Sequence, residues 1–173
     1  MHILGIDPGT IRMGYGVLES APRPAVEDYG VIALPETMPL EHRLYQLYTH
    51  VLNLIGIFHP GAIAVEQPFV GRGERRFAGP AIAVGQAQAV VLIGGAGQAV
   101  PVFTYAPAQV KRVVADHGAA TKEQIQQIIT STLDLAETPD SDAADALAIA
   151  LCHLIQGNAE TALEREILPG RER

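Results

Sequence analysis

Four acidic residues stand where chemistry could be held tightly. Asp7 follows Ile3-Leu4-Gly5-Ile6, a run apolar on both faces that predicts a central strand. Glu66 follows Ala62-Ile63-Ala64-Val65, a second short buried strand. Asp142 and Asp145 are spaced i, i+3 at the predicted start of the last helix, so both project from one face. Taken alone, that pair reads as ordinary acids stabilising a helix N-terminus. The small residues in Asp142-Ala143-Ala144-Asp145-Ala146-Leu147-Ala148-Ile149 change the reading, because they let the helix lie close against a sheet. Its two acids would then sit at the sheet edge, beside Asp7 and Glu66. Four carboxylates cannot share a dry site without cations, since their repulsion would raise their pKa values. Hard divalent ions relieve that repulsion. Two of them about 4 Å apart form the clamp for in-line phosphodiester hydrolysis.

The elements that must position these acids follow from pattern and punctuation. Pro8-Gly9 turns the chain after the first strand, and Met13 to Glu19 returns as an antiparallel partner. Ala21-Pro22-Arg23-Pro24 marks the next turn, and a third strand around Tyr29 to Leu34 completes a meander. Leu40, Leu44, Leu47, Tyr48, Val51, Leu52 and Ile55 recur at helical spacing, and His59-Pro60-Gly61 stops that helix. His42 and His50 lie on it as surface or half-buried residues. A helix between two strands implies a parallel crossover, which brings Glu66 beside Asp7.

Residues 67 to 80 hold Gly71, Gly73, Gly79, Arg72, Arg75, Arg76, Phe69 and Phe77. They read either as a solvated loop or as a nucleic-acid contact, where arginines pair with phosphates and phenylalanine wedges or stacks between bases. From Pro80 to about Gly97 the chain predicts a helix apolar nearly all round, interrupted by Gln86 and Gln88. It is short and rich in Gly and Ala for a membrane span. Packing between the sheet and a second subunit fits it better. Val100 to Thr104 reads as a strand, and Pro107 to Val114 as a short helix with Lys111 and Arg112. Thr121-Lys122-Glu123-Gln124 has capping-box spacing ahead of the stripe Ile125, Ile128, Ile129 and Leu133. The last helix runs from Ser141 to Gly157, a suitable C′ glycine. The expected organisation is one domain over residues 1–157 and a flexible tail over 158–173.

The bulk numbers fit a folded enzyme. A chain of 173 residues suits one domain, and 48% hydrophobic against 18% charged residues excludes general disorder. The formal charge of −7 argues against generic nucleic-acid binding. Two bound dications would bring that to about −3. A single cysteine, Cys152, and the lack of a visible secretory signal lead us to expect a reducing, cytoplasmic setting.

Ile3-Leu4-Gly5-Ile6-Asp7-Pro8-Gly9-Thr10 with Gly14-Tyr15-Gly16, then Ala64-Val65-Glu66-Gln67, then Asp142-Ala143-Ala144-Asp145-Ala146-Leu147-Ala148-Ile149-Ala150 resembles the RuvC family of bacterial Holliday-junction resolvases. The similarity runs collinearly from about residue 2 to 157. The resemblance implies an α/β, RNase H-like fold with a mixed five-stranded sheet flanked by helices. It also implies a homodimer that resolves four-way DNA junctions by paired symmetric cuts in recombination and repair. Mg²⁺ or Mn²⁺, two per subunit, would be held by Asp7, Glu66, Asp142 and Asp145. Lys111 and Lys122 match the family's basic residues near the scissile phosphate, and Phe69 matches a phenylalanine that opens the junction. The loop arginines Arg72, Arg75 and Arg76 are further DNA-binding candidates. The family's RuvA-RuvB branch-migration complex is the implied partner. Many members are basic whereas this chain is acidic, and Pro68 with the Gly/Arg-rich stretch after Phe69 is a further departure. Two other classes share parts of the pattern. Asp-x-Gly-Thr after an apolar strand also resembles the first phosphate loop of actin-like ATPases, which need further glycine-rich motifs. A related RNase H-like nuclease with another substrate, or a junction binder without activity, would share the rest.

Overall fold

The computed structural model describes residues 1–20, 22–68, 78–115 and 120–167. Five strands, β1 (His2–Asp7), β2 (Arg12–Glu19), β3 (Ala25–Ala33), β4 (Ala62–Glu66) and β5 (Val102–Tyr105), form one sheet in the order β3-β2-β1-β4-β5. β1, β2 and β3 pair antiparallel as a meander, while β4 and β5 run parallel to β1. Five helices flank it: α1 (Leu40–Phe58), α2 (Ala78–Gly97), α3 (Pro107–Ala115), α4 (Lys122–Thr132) and α5 (Ser141–Ile167). This is the mixed five-stranded sheet flanked by helices that the sequence led us to expect.

Strand parity divides the molecule into two cores. Side chains alternate across a sheet, so Leu4, Ile6, Met13, Val17, Ile63 and Val65 face α1 and α2. Ile3, Leu18, Ala62 and Ala64 face the other way, toward α3, α4 and α5. Counting along each strand, Asp7 shares the face of Ile3 and Gly5, and Glu66 shares that of Ala62 and Ala64. Both strand-terminal acids therefore point to the α5 side.

On that side the sheet is furrowed by glycine. Gly5 pairs with Gly16 across β1 and β2, and Gly14 pairs with Asp7. A Cβ on Gly5 would strike the Ala146 carbonyl, and one on Gly14 the Asp142 carbonyl. A Cβ on Gly16 would meet the Leu147 side chain. Ala143, Ala144, Ala146, Ala148 and Ala150 are fully buried, so small residues on helix and sheet together allow the close approach. Gly9 is also needed for space, since a Cβ there would meet the Arg12 carbonyl and no positive φ is involved.

Helix ends follow their local chemistry. α1 stops at His59, which takes a left-handed conformation (φ 45°, ψ 55°) and donates its N–H to the Ile55 carbonyl. α4 opens with the capping box: Thr121 Oγ1 accepts from Gln124 N, and Gln124 Oε1 accepts from Thr121 N at 2.9 Å. α5 departs from expectation, because Gly157 lies inside the helix and the backbone stays helical to Ile167. α2 is two-faced despite its uniform composition. Ala87, Val90 and Val91 enter the core, whereas Ile82 and Ile93 are 61% and 62% exposed. Among the described residues, no helix is long and apolar enough to cross a membrane.

Candidate active site

Two strand ends and one helix start meet at one cleft. Asp7 closes β1 and Glu66 closes the adjacent parallel β4, whose register runs through Ile6 opposite Val65. The glycine furrow holds the first turn of α5 over the same edge and brings Asp145 to it. Asp7, Glu66, Asp145, Lys111 and Lys122 line a cleft of about 230 Å³, with Pro107, Val110, Ile125 and Ala148 as its apolar wall. Lys122 Nζ lies 3.2 Å from Asp145 Oδ2. Lys111 Nζ donates to the Ala120 carbonyl at 2.8 Å, which ties α3 to the chain entering α4.

The carboxylates are in electrostatic conflict. Burial, followed by repulsion from Glu66, Asp145 and Asp142, pushes the Asp7 carboxyl up to about 8, with Lys122 opposing the shift. Burial and then Asp145 raise Glu66 to about 7 against the pull of Lys122 and Lys111. Asp145 is also raised, chiefly by burial, in spite of its lysine partner. Among the described residues, no hydrogen bond reaches the carboxylate oxygens of Asp7 or Glu66, although Gln88 holds the Glu66 backbone carbonyl. Half-buried acids left unneutralised and aimed into one cleft fit a hard dication, which accepts carboxylate oxygens and removes the repulsion. The cage is not already closed: among the described residues no three His, Cys, Asp or Glu side chains converge as a finished metal site.

Asp142 stands apart from these three acids, and its partner lies in the hairpin, remote in sequence. Asp142 does not line the cleft; its Oδ2 accepts from Arg12 Nε at 2.6 Å. Arg12 Nη2 also donates to both carboxylate oxygens of Asp140 at 2.9 Å. The signal available in the sequence was a lone cation in the hairpin between Asp7 and Gly14. Gln88, read only as an interruption of α2, donates to the Glu66 carbonyl at 3.1 Å and anchors the end of β4. His42 and His50 are exposed on α1, across the sheet from the cleft. Phe69, Arg72, Arg75 and Arg76 lie outside the described residues.

A mixed sheet in this order, with acids ending two adjacent strands and opening the helix laid across them, defines an RNase H-like protein. The particular branch follows from sequence. The chain belongs to the RuvC family, described as crossover junction endodeoxyribonuclease RuvC, whose sequence model matches residues 3–153. It is 42% identical over 155 residues to the RuvC of Dehalococcoides mccartyi, covering 88% of this chain and 90% of that one. It is 45% identical over 155 residues to the RuvC of Desulfitobacterium hafniense, covering 88% and 92%. The fold superposes on Thermus thermophilus RuvC in complex with a Holliday junction substrate with a TM-score of 0.83 at 35% identity, covering 93% of this chain and 97% of the other. It shares its fold with a yeast mitochondrial Holliday junction resolvase at 15% identity, with a TM-score of 0.61 and coverage of 96% and 86%.

Proposed function

We propose that this chain is a divalent-metal-dependent endonuclease that resolves four-way DNA junctions, acting as a homodimer that makes paired symmetric cuts. The observation that carries the reading is the meeting of Asp7, Glu66 and Asp145 with Lys111 and Lys122 in one cleft. Asp7, Glu66, Asp142 and Asp145 would hold Mg²⁺ or Mn²⁺, two ions per subunit. Ions bound there polarise the phosphate and lower the pKa of a water nucleophile. The protein's own part is to hold the acids at fixed strand and helix ends, where little reorganisation is needed. Lys122 and Lys111 line the same cleft as the acids and would meet charge developing on the phosphate. Phe69 with Arg72, Arg75 and Arg76 follows Glu66 directly in the chain and is assigned to the junction itself. Action beside a RuvA-RuvB branch-migration complex, in the cytoplasm, completes the reading.

Incubation with a synthetic four-way junction tests it. Cleavage with Mg²⁺ or Mn²⁺, its absence with chelator, and sparing of linear duplex are expected. Asp7→Asn should abolish cleavage and keep junction binding, because binding rests mainly on phosphate contacts. ATP turnover, or equal cleavage of duplex, would overturn the proposal in favour of the actin-like or general-nuclease alternatives.

A further inference from the structure

Of the four acids assigned to the metals, Asp142 alone is engaged elsewhere, and by a device with three parts. Asp140 is the fixed part. Its Oδ1 accepts from Asp142 N at 3.0 Å and its carbonyl from Ala144 N at 2.8 Å, so it caps α5 and cannot wander. Arg12 is the arm. It opens β2, grips Asp140 through Nη2, and has Nε left to aim at Asp142. The Asp142 carboxylate is the movable part. Its backbone is pinned, because Gly14 lies directly beneath the Asp142 carbonyl, and only side-chain rotation remains. A guanidinium and a dication compete for the same oxygens, and Arg12 holds Oδ2 at 2.6 Å.

We propose that Arg12 is a positioning residue that keeps the Asp142 carboxylate out of the cleft until a divalent ion draws it in, so Asp142 is the last of the four acids to join. This rests on the metal assignment made above. Arg12 then sets how tightly the site takes its metal, and Asp140 receives the guanidinium when Asp142 leaves.

Direct titration with Mn²⁺ alone, followed by paramagnetic resonance of the free ion, tests this on the full chain without DNA or turnover. Arg12 is exposed, so Arg12→Gln should fold, and circular dichroism checks that it does. Its apparent Mn²⁺ affinity should rise about two- to fivefold, the range expected for releasing an exposed ion pair. In an Asp142→Asn background the same substitution should change nothing. Arg12→Lys keeps the charge but cannot bridge both acids, so it should also raise affinity. An equal rise in both backgrounds, or no rise with Arg12→Lys, would show simple charge repulsion and overturn the latch. No rise with Arg12→Gln overturns it as well. Mn²⁺ binding that survives intact in Asp7→Asn would instead overturn the four-acid reading on which the latch depends.

Discussion

Asp7 costs the folded protein stability, which a cation bound as proposed above would return. Its carboxyl rises from 3.8 to about 8 on folding and that of Glu66 from 4.5 to about 7, so the folded state holds these protons more tightly than the unfolded chain. The stability linked to them is full below the unfolded values and is lost as pH rises through the folded ones. Asp140 and Glu123 shift downward and act at the acid end, outside this window. Metal-free protein should therefore lose unfolding free energy between about pH 4 and pH 8, and Asp7→Asn should flatten that slope. Urea denaturation at a series of pH values, with chelator and then with Mg²⁺, measures it. A slope unchanged by Asp7→Asn would remove Asp7 from the conflict. Lys122 makes a second case. Its side chain is 63% exposed beside Asp145, so the pair adds little to stability. Charge that develops only in the transition state is another matter. Lys122→Ala should slow cleavage by about a hundredfold or more while junction binding falls much less. Equal losses in rate and affinity would make Lys122 a binding residue only.

At the scale of elements, the glycine furrow sets where α5 begins. Gly14→Ala would force its methyl group into the Asp142 carbonyl, a backbone atom that can move only with the helix. Overpacking of this kind costs about 1–3 kcal/mol. Gly16→Ala meets chiefly the buried Leu147 side chain instead, past the last of the acids along α5. Both variants should melt earlier, but only Gly14→Ala should also weaken Mn²⁺ binding. Equal metal affinity in the two would show that the furrow packs the helix without positioning its acids. Much of this architecture was legible beforehand, because it rests on short-range rules. A helix between two strands implied a parallel crossover that sets Glu66 beside Asp7, as the register shows, and the spacing of Thr121 and Gln124 announced the start of α4. What escaped reading depends on contacts remote in sequence. Arg12 is bound to Asp140 and Asp142 across almost the whole chain, and no periodicity links a hairpin residue to a helix start. Local preference makes Gly157 a stop, yet α5 continues through it. A glycine costs a helix only about 1 kcal/mol, which the rest of the helix can outweigh.

The whole molecule raises the question of how one cleft per chain could cut two strands of a junction. The two-fold pair of chains proposed above would supply two identical clefts at a fixed separation, and α2 would offer the face for it. Composition could not divide that helix, since its residues are apolar on every side. The fold does divide it. Val90 is only 8% exposed and belongs to the core shared with α1, whereas Ile93 is 62% exposed on the far side. Ile82, Ala89, Ile93 and Ala96 are all exposed, and their spacings of seven, four and three residues keep them in one stripe. An apolar stripe left to water is a face that a partner would cover. Ile93→Glu should therefore leave the fold intact, within about 0.5 kcal/mol of the parent as for other surface substitutions. It should nevertheless sediment as a monomer at micromolar concentration. Val90→Glu, which buries a charge, should unfold instead and so marks the difference between core and interface. On a plasmid cruciform the parent should make paired cuts and the Ile93→Glu monomer only single nicks. A parent chain that sediments as a monomer yet still cuts in pairs would refute the dimer, and an Ile93→Glu chain that stays dimeric would move the interface off α2.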